Sequence, residues 1–442
     1  MLKCNLHFDL FPLYPLFGDS YCIPNTRFHR VSCFAVATGR LSQDGDRYLL
    51  QYKAVEMPKI LDTDFTTEWL QEILVGDSDK SVRPEIIEFR AEKVGLGQGM
   101  CSTIISVVLT WQNETSEALP TELILKIPRT ESLANATTNM KKMDLSTLVS
   151  DIHANECQAY RLFRDIDHLA VPRSYFCSKV LPDRPGIIVM ESFANRAGFA
   201  TVITGLNLSQ VLQVVDNLAK VQAYSLKNPS LAFQNLKTHE AAVDEMLATY
   251  SFPGVRELLS KWPQYADMLD PVANFFEEAA PKTALPRETN AKLGLPPVLI
   301  HADMWTNNLI FERQGNTVTD KLLAIVDWQG LRAGCIMEDV ARLLTVACTT
   351  ELRRAQTETV IEFYYARLSE HLGEEPSFGL EQVRQAYNHM LAIGMYWMVY
   401  NVYYWQYNSA LEMEGGDRNE NTRKALDKCK AVIADVIALN VL

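Results

Sequence analysis

The sequence has no excess of basic residues. Its 442 residues include 42 lysines and arginines against 54 aspartates and glutamates, which gives a formal net charge of −12 at pH 7. A protein whose main partner is a nucleic acid or an anionic membrane surface usually presents a basic footprint. We therefore expect neither a nucleic acid nor a charged membrane surface as the main partner.

Internal repeats and low-complexity tracts are also absent from the sequence. Hydrophobic residues make up 48% of the chain and charged residues 22%, which are ordinary values for a globular protein. This composition excludes a collagen-like, coiled-coil or wholly disordered chain.

Cysteine pairs at metal-binding spacing are missing. The nine cysteines are an odd number, lie scattered along the chain and form no C-x-x-C motif. A disulfide framework or a structural zinc site is therefore not expected, and reduced thiols in a cytoplasmic protein are the interpretation that we adopt.

The sequence has no apolar run of about 18 residues, the length that a membrane-spanning helix needs. We therefore predict no membrane span. The first 24 residues are apolar overall, but Asp9, Pro12 and Pro15 interrupt them before the apolar core of a signal peptide forms. This interruption disfavours a signal peptide.

The length of the chain favours more than one structural unit. Residues 1–58 have no clean period and are interpreted as an N-terminal extension with little predicted order. Residues 59–192 contain five short β-branched runs and one helical stretch at 146–166, which indicate antiparallel strands in a small lobe. Residues 193–442 are mostly helical in period, with three short strand-like runs. The predicted fold class is α+β with two lobes.

The segment from Val298 to Asp327 contains the motif H-x-D-x-x-x-x-N between two predicted strands, and a second aspartate ends the third. Phosphoryl transfer needs a carboxylate that receives the proton of the acceptor hydroxyl, a role that suits Asp303. Magnesium prefers oxygen ligands, which Asn308 and Asp327 supply. The alternative is a chance match with a turn-forming aspartate, and the flanking strands favour the functional interpretation.

Lys126 follows three apolar residues in a predicted strand. It is either an exposed edge residue or a buried cation that meets phosphates. Glu156 lies on the same helical face as Ile152, Tyr160 and Phe163, and a carboxylate in an apolar face requires a cation. Lys126 is the candidate partner, and an exposed Glu156 is the alternative.

The glycine cluster VGLGQGMCS lies between two predicted strands and contributes Gly95, Gly97 and Gly99. Glycines allow backbone N–H groups to approach phosphates closely. The cluster does not open a helix, so it is neither a Walker A loop nor a Rossmann fingerprint. A hairpin turn that binds no ligand is the alternative.

The order of these motifs resembles the CHK kinase-like family, the ecdysteroid-kinase-like and choline-kinase-like branch of the aminoglycoside phosphotransferase superfamily. The resemblance spans about residues 85 to 410 and rests on IHADMWTNNLIF, AIVDWQ, EDVARLL and NECQAY. It implies a bilobal protein-kinase-like fold, ATP and Mg²⁺ as cofactors, and a small-molecule alcohol as the acceptor, either steroid-like or choline-like.

The resemblance also implies roles for individual residues. Asp303 would be the catalytic aspartate, Asn308 and Asp327 the magnesium ligands, and Lys126 with Glu156 the pair that orients the phosphates. Three residues at the lobe connection would read adenine through backbone groups: Met190, Glu191 and Ser192. Asp339 would support the catalytic loop, unless it is only an acidic residue in the first turn of a helix.

Two features depart from the protein-kinase pattern. Asp327 is followed by Trp328 and Gln329 where a protein kinase has Phe-Gly, and no A-P-E segment follows. These departures disfavour a protein substrate. A catalytically inactive scaffold that binds a small molecule is the alternative from another class.

Seven aromatic residues crowd the segment from Tyr396 to Tyr407. Aromatic side chains bind quaternary ammonium groups by cation–π attraction or cover a flat steroid. The same spacing also suits an ordinary buried helix face. Both interpretations, core packing and a lining for the acceptor, stay open at the level of the sequence.

Overall fold

The computed structural model describes residues 59–76, 84–94, 101–112, 119–129, 145–238, 247, 251–277, 280–406 and 410–442. The predicted N-terminal extension, residues 1–58, lies outside these ranges. The glycine cluster at Gly95, Gly97 and Gly99 lies outside them as well. The predicted domain boundaries therefore stay predictions.

A five-stranded antiparallel sheet forms the small lobe, with the strand order β1-β2-β3-β5-β4. Its strands are β1 (Ile86–Val94), β2 (Ser102–Trp111), β3 (Glu122–Pro128), β4 (Ser174–Ser178) and β5 (Ile187–Glu191). Each strand coincides with one of the five β-branched runs in the sequence, because such side chains fit a pleated and half-buried surface.

The central strand, β3, is covered on both faces. Leu123, Leu125 and Ile127 pack in an apolar cluster with Leu70 of helix α1 (Thr67–Val75). Since side chains alternate along a strand, Lys126 faces the opposite side. Helix α2 (Leu145–Leu162) lies against that side and continues in a short 3-10 turn, so the predicted helix at 146–166 differs only in its last turn.

The large lobe is mostly helical within the described residues. Its helices are α3 (Leu208–Lys227), α4 (Pro229–Ala232), α5 (Phe252–Ser260), α6 (Ala273–Glu277), α7 (Ala280–Leu293), α8 (Glu338–Val346), α9 (Thr350–Leu372), α10 (Leu380–Tyr404) and α11 (Arg418–Leu439). Together with the sheet of the small lobe, they confirm the predicted two-lobed α+β fold class.

Helix α3 begins with a capping box. Its N-cap is Asn207. Its side chain accepts the backbone N–H of Gln210, and the Gln210 side chain accepts the N–H of Asn207. This reciprocal capping box satisfies two N–H groups that a lone serine would not satisfy.

Two small antiparallel sheets stand among these helices. One pairs β7 (Val298–Ile300) with β10 (Arg332–Gly334), and the other has the order β6-β8-β9, with strands Ala197–Gly198, Leu309–Gln314 and Thr317–Ile325. The segment between β7 and β8 is a tight loop of eight residues, 301–308, which we call the central loop. The end of β9 lies next to it.

Helices α8 and α10 pack closely along each other. A Cβ atom on Gly394 of α10 would lie 2.7 Å from the hydroxyl oxygen of Thr345 and 2.9 Å from the carbonyl oxygen of Ala341. Only glycine permits this approach, which fixes α8 against α10 beside the central loop. Among the described residues, no helix is both long enough and apolar enough to cross a membrane.

Candidate active site

The central loop is held by its own side chains. The amide of Asn308 donates to the backbone oxygen of Asp303 at 2.9 Å and to Oδ2 of the same residue at 3.0 Å. The sequence spacing of five residues therefore closes a small ring in which Asn308 fixes the Asp303 carboxylate. The Asp303 side chain remains 28% exposed, enough to meet a ligand.

Asp339 supports the loop from below. It lies in the first turn of α8, is fully buried, and accepts the backbone N–H groups of His301 at 2.6 Å and Ala302 at 2.8 Å. Ala302 has a left-handed φ of 64°, a conformation that costs about 1–3 kcal/mol in a non-glycine residue and requires such support. Burial raises the pKa of Asp339, and the two N–H donors oppose that shift. Asp339 therefore supports the central loop from the first turn of α8, and the alternative of an acidic residue with no other contact is wrong.

His301 joins the central loop to the end of β9. Its Nδ1 accepts the N–H of Asp303 at 3.1 Å, so the ring proton lies on Nε2, which contacts the carbonyl oxygen of Val326 at 2.9 Å. The ring also lies against Trp328, with 4.6 Å between ring centroids. The N–H of Val326 in turn donates to the backbone oxygen of Asn308 at 2.9 Å.

Asp327 follows β9 in a left-handed conformation, with φ 64° and ψ 56°. The chain turns here into a 3-10 segment that begins at Trp328. A Cβ atom on Gly330 would lie 2.7 Å from the carbonyl oxygen of His301, so glycine allows this turn to touch the central loop. The turn directs Asp327 toward the small lobe.

Lys126 meets two carboxylates. Its amine lies 2.5 Å from Oδ1 of Asp327 and 2.7 Å from Oε2 of Glu156. We call these three residues the lysine triad. The Lys126 side chain is 9% exposed and belongs to the central strand, so the alternative of an exposed edge residue is wrong. Burial alone would lower the pKa of Lys126, but the two carboxylates outweigh it and raise the pKa.

Glu156 is buried, with 2% of its side chain exposed, so the alternative of an exposed glutamate is also wrong. Burial raises the pKa of Glu156 to about 7, against the opposing effect of the Lys126 charge. The Asp327 carboxylate adds to the rise. The contact between Lys126 and Glu156 that the helical face predicts is present.

The donor chemistry around the central loop suits a hard divalent cation. The NH2 group of the Asn308 amide donates to Asp303, so the amide oxygen of Asn308 is the atom that can bind another ligand. Oδ1 of Asp327 contacts Lys126, which leaves Oδ2 for a cation. Within the described residues, no group of three His, Cys, Asp or Glu side chains could hold a metal. Magnesium commonly takes one or two protein ligands together with phosphate oxygens, so two ligands suffice.

The predicted adenine segment lies where β5 leaves the small sheet. Met190 is buried and receives a 3.8 Å contact from the hydroxyl of Tyr160. The Glu191 carboxylate binds Arg196 at 2.5 Å, and the Ser192 hydroxyl oxygen accepts the N–H of Ala194. The segment connects the sheet to β6, and its role in binding adenine stays a prediction.

Sequence reasoning missed Arg342. Its side chain, 4% exposed, donates to Oδ1 of Asp303 and to the carbonyl oxygen of Ala302. We call Arg342 and Asp303 the arginine pair. Burial lowers the pKa of the guanidinium, and the Asp303 charge opposes that shift. The available signal was its position three residues after Asp339, which places both side chains on the same face of α8.

Three aromatic residues of the segment from Tyr396 to Tyr407 are core residues. Tyr396 and Tyr400 are buried and pack against Phe276, with ring centroids 5.7 Å and 6.0 Å apart. Trp405 is also buried. Trp397 is half-buried, like Tyr403 and Tyr404, and the Arg342 guanidinium lies 4.0 Å from its ring centroid. Trp397 therefore contacts the site through Arg342.

The predicted residues thus form two groups joined through backbone contacts. The lysine triad is the first group, and Asp303 with Asn308 is the second. The link runs through the Val326 backbone, which contacts both ends of the central loop. Gly95, Gly97 and Gly99 lie outside the described residues.

Comparison with known proteins identifies relatives of this chain. A family model described as DUF1679, Uncharacterized oxidoreductase dhs-27, matches residues 87–441. The Uncharacterized kinase-like protein D1044.1 of Caenorhabditis elegans is 22% identical over 76% of this chain and 89% of its own length. The Uncharacterized oxidoreductase dhs-27 of Caenorhabditis elegans is 24% identical over 65% of this chain, and the match spans only 36% of that longer protein.

A solved structure of similar architecture is a putative aminoglycoside phosphotransferase from Ralstonia eutropha. It is 11% identical, with 84% of this chain and 97% of that chain covered, at a TM-score of 0.42. A likeness at this level says nothing about the substrate of this chain. The chemistry of the site has to be argued from its own residues.

Proposed function

We propose that this chain, which belongs to the DUF1679 family, is an ATP- and magnesium-dependent phosphotransferase whose acceptor is a hydroxyl group of a small molecule. The observation that carries the proposal is the lysine triad, in which Lys126 of the small lobe contacts Asp327 of the large lobe at 2.5 Å. A buried lysine between two carboxylates, beside an Asp–Asn loop, is the arrangement that phosphoryl transfer uses.

The lysine triad would bind the phosphates of ATP. Glu156 holds the Lys126 amine from the helix side, so the amine stays charged and directed toward the interlobe space. A fixed ammonium stabilises negative charge that develops on the transferred phosphoryl group. Because Glu156 is buried, its orientation of Lys126 does not depend on exposed and easily screened contacts.

Asn308 and Asp327 would hold magnesium through their side-chain oxygens. When bound, magnesium neutralises phosphate charge and supplies electrostatic stabilisation during transfer. The residues of the chain contribute the fixed placement of the two oxygens. Asn308 is held by its bonds to Asp303, and Asp327 by its left-handed turn and its contact with Lys126.

Asp303 would orient the acceptor and take its proton. In this step the acceptor oxygen forms a bond to the γ-phosphorus of ATP, and the bond from that phosphorus to the bridging oxygen of ADP breaks. The proton of the acceptor hydroxyl passes to the Asp303 carboxylate. Met190, Glu191 and Ser192 would meet adenine through their backbone groups, and Gly95, Gly97 and Gly99 would approach the phosphates.

The resemblance of the sequence to the CHK kinase-like branch adds to this proposal. It favours a steroid-like or a choline-like alcohol as the acceptor, and the scattered cysteines favour a cytoplasmic location. The oxidoreductase name of the longer relative gives no support to a dehydrogenase site in this chain. Dinucleotide-binding folds use parallel strands, whereas all strand pairs in the described part of the chain are antiparallel.

Phosphate transfer from ATP to a panel of small alcohols, with and without Mg²⁺, tests the proposal. We expect transfer by the wild type only with Mg²⁺, and a loss of about 10²-fold or more in Asp303→Asn, because the amide cannot take the proton. Asp267→Asn, at an exposed aspartate, is the matched control and should retain full activity. Equal activity in wild type and Asp303→Asn would falsify the mechanism.

A further inference from the structure

The two oxygens of the Asp303 carboxylate accept hydrogen bonds from donors of different kinds. Oδ2 accepts the neutral amide of Asn308 at 3.0 Å, whereas Oδ1 accepts the charged guanidinium of Arg342. Arg342 also donates to the carbonyl oxygen of Ala302, so two of its nitrogens grip the central loop next to Asp303. A forked guanidinium fixes both the position and the orientation of a carboxylate.

The guanidinium is itself fixed from the opposite side. It stacks on the ring of Trp397 at 4.0 Å, and the close approach of α8 and α10 at Gly394 holds the two side chains in register. The ring face that a cationic ligand would use is therefore already occupied by a protein cation. Trp397 is half-buried, and Arg342 connects its ring to the Asp303 carboxylate.

The neighbouring acidic side chains of α8 are already engaged. Glu338 pairs with Arg332, and Asp339 accepts two backbone N–H groups. Within the described contacts around Asp303, the charge of this carboxylate is thus balanced by Arg342. A cationic ligand at Asp303 would meet a carboxylate that is already paired with a guanidinium, and like charges brought together in a partly buried site repel.

We infer that Arg342 is a positioning residue for Asp303 and that it makes the acceptor site select uncharged alcohols over cationic amino alcohols. This inference rests on the proposed function and narrows its acceptor class. The guanidinium does not repel an uncharged alcohol. A quaternary ammonium alcohol would have to displace Arg342 from the ring or approach it.

Matched pairs of alcohols test the inference. One pair is choline and its uncharged isostere, in which a tert-butyl group replaces the trimethylammonium group, and longer pairs extend the series. The kcat/KM for each member is measured with the full chain and Mg-ATP, for wild type, Arg342→Gln and Arg342→Lys. Glutamine keeps one donor and loses the charge, and lysine keeps the charge.

We expect the wild type to prefer the uncharged member of each pair by about tenfold or more, since a like charge is placed near the ligand. Arg342→Gln should abolish that preference and lower kcat while leaving KM for Mg-ATP near its wild-type value. Arg342→Lys should retain the preference. Thermal unfolding of the variants checks that each is folded, and the ratio within a pair cancels any general loss of activity.

Three results overturn the inference. They are a wild type that prefers the cationic members, a preference that survives in Arg342→Gln, and a preference that is lost equally in Arg342→Lys. A wild type that phosphorylates no member of any pair contradicts the proposed function itself, and the inference with it. The two failures are therefore distinguishable.

Discussion

Two ion-pair groups, each with a buried cation, form the candidate site, and they differ in charge. In the lysine triad one cation, Lys126, faces the two carboxylates of Glu156 and Asp327. In the arginine pair the guanidinium of Arg342 faces the single carboxylate of Asp303. A group with an excess of carboxylate charge attracts a divalent cation, whereas a balanced pair does not. This difference agrees with the proposal that the triad side meets the metal–nucleotide complex and the arginine side an uncharged alcohol.

The two groups also differ in what they connect. The lysine triad joins β3 and α2 of the small lobe to the turn after β9, so its contacts cross between the lobes. The arginine pair joins the central loop to α8 within the large lobe. Changes in the triad should therefore affect both stability and nucleotide binding, and changes in the pair should act mainly on the acceptor step.

Lys126→Met removes the cation of the lysine triad, and we expect the largest effect from this change. Removal of the amine leaves the buried Glu156 carboxylate and the partly exposed Asp327 carboxylate without a cation, which costs about 3–5 kcal/mol in the free energy of unfolding. The kcat/KM for Mg-ATP should fall by about 10²-fold or more, because a fixed positive charge is lost from the phosphate site. Urea unfolding and steady-state kinetics measure the two effects.

Lys321→Met is the matched control for this change. Lys321 lies on β9, is 63% exposed, and pairs with Glu312, so its removal should cost less than about 1 kcal/mol. If Lys126→Met proves no less stable than Lys321→Met, the buried lysine triad does not exist in solution.

The pH dependence of stability sharpens the comparison. The pKa of Glu156 is raised from 4.5 in the unfolded chain to about 7 in the folded protein. A raised carboxyl pKa means that the folded state binds the proton more tightly, so this contribution is present below pH 4.5 and is lost as pH rises through about 7. Relative to Glu156→Gln, the wild-type free energy of unfolding should fall by about 1–3 kcal/mol between about pH 5 and pH 8.

Urea unfolding of both proteins across that pH range measures the difference. The glutamine variant cannot titrate at this position. It is therefore the control for the titration of all other groups in the wild type. Parallel curves for the two proteins would contradict the raised pKa of Glu156.

Trp397→Phe gives the smallest expected effect and probes the support of the arginine pair. Phenylalanine keeps a ring under Arg342 but binds a cation less strongly than tryptophan, a difference of about 0.5–1 kcal/mol. The kcat for an uncharged acceptor should therefore fall only a few-fold, since Asn308 still holds Asp303 at 3.0 Å. A loss as large as that of Arg342→Gln would show that the ring, and not the guanidinium, positions the carboxylate.

The parts of the molecule that follow from local pattern could be predicted from the sequence. Strand β2 coincides with the run STIISVVLTW because its side chains alternate between a buried and a more accessible face. The contact of Lys126 with Glu156 could be predicted because a charge in an apolar strand and a charge in an apolar helix face each require a partner. The fold class followed from the change of period near residue 193.

The remaining features depend on tertiary contacts that no local pattern encodes. The left-handed conformation of Asp327 arises where the turn after β9 meets the central loop, and aspartate has no strong signal for it. Arg342 lies 39 residues from Asp303, and only the packing of α8 against the central loop and α10 brings it there. From the sequence alone, Trp397 cannot be distinguished from the core aromatic residues, because its contact with Arg342 depends on the packing of two helices.

The central claim is that Lys126, Glu156, Asp303, Asn308 and Asp327 form one site for a magnesium–nucleotide complex. Calorimetric titration with ATP, with and without Mg²⁺, tests it most directly in wild type and Asp327→Asn. We expect Mg²⁺ to tighten ATP binding to the wild type by about tenfold or more, since the metal joins the phosphates to protein oxygens. Asp327→Asn should lose that gain, whereas an equal gain from Mg²⁺ in both proteins would contradict the claim.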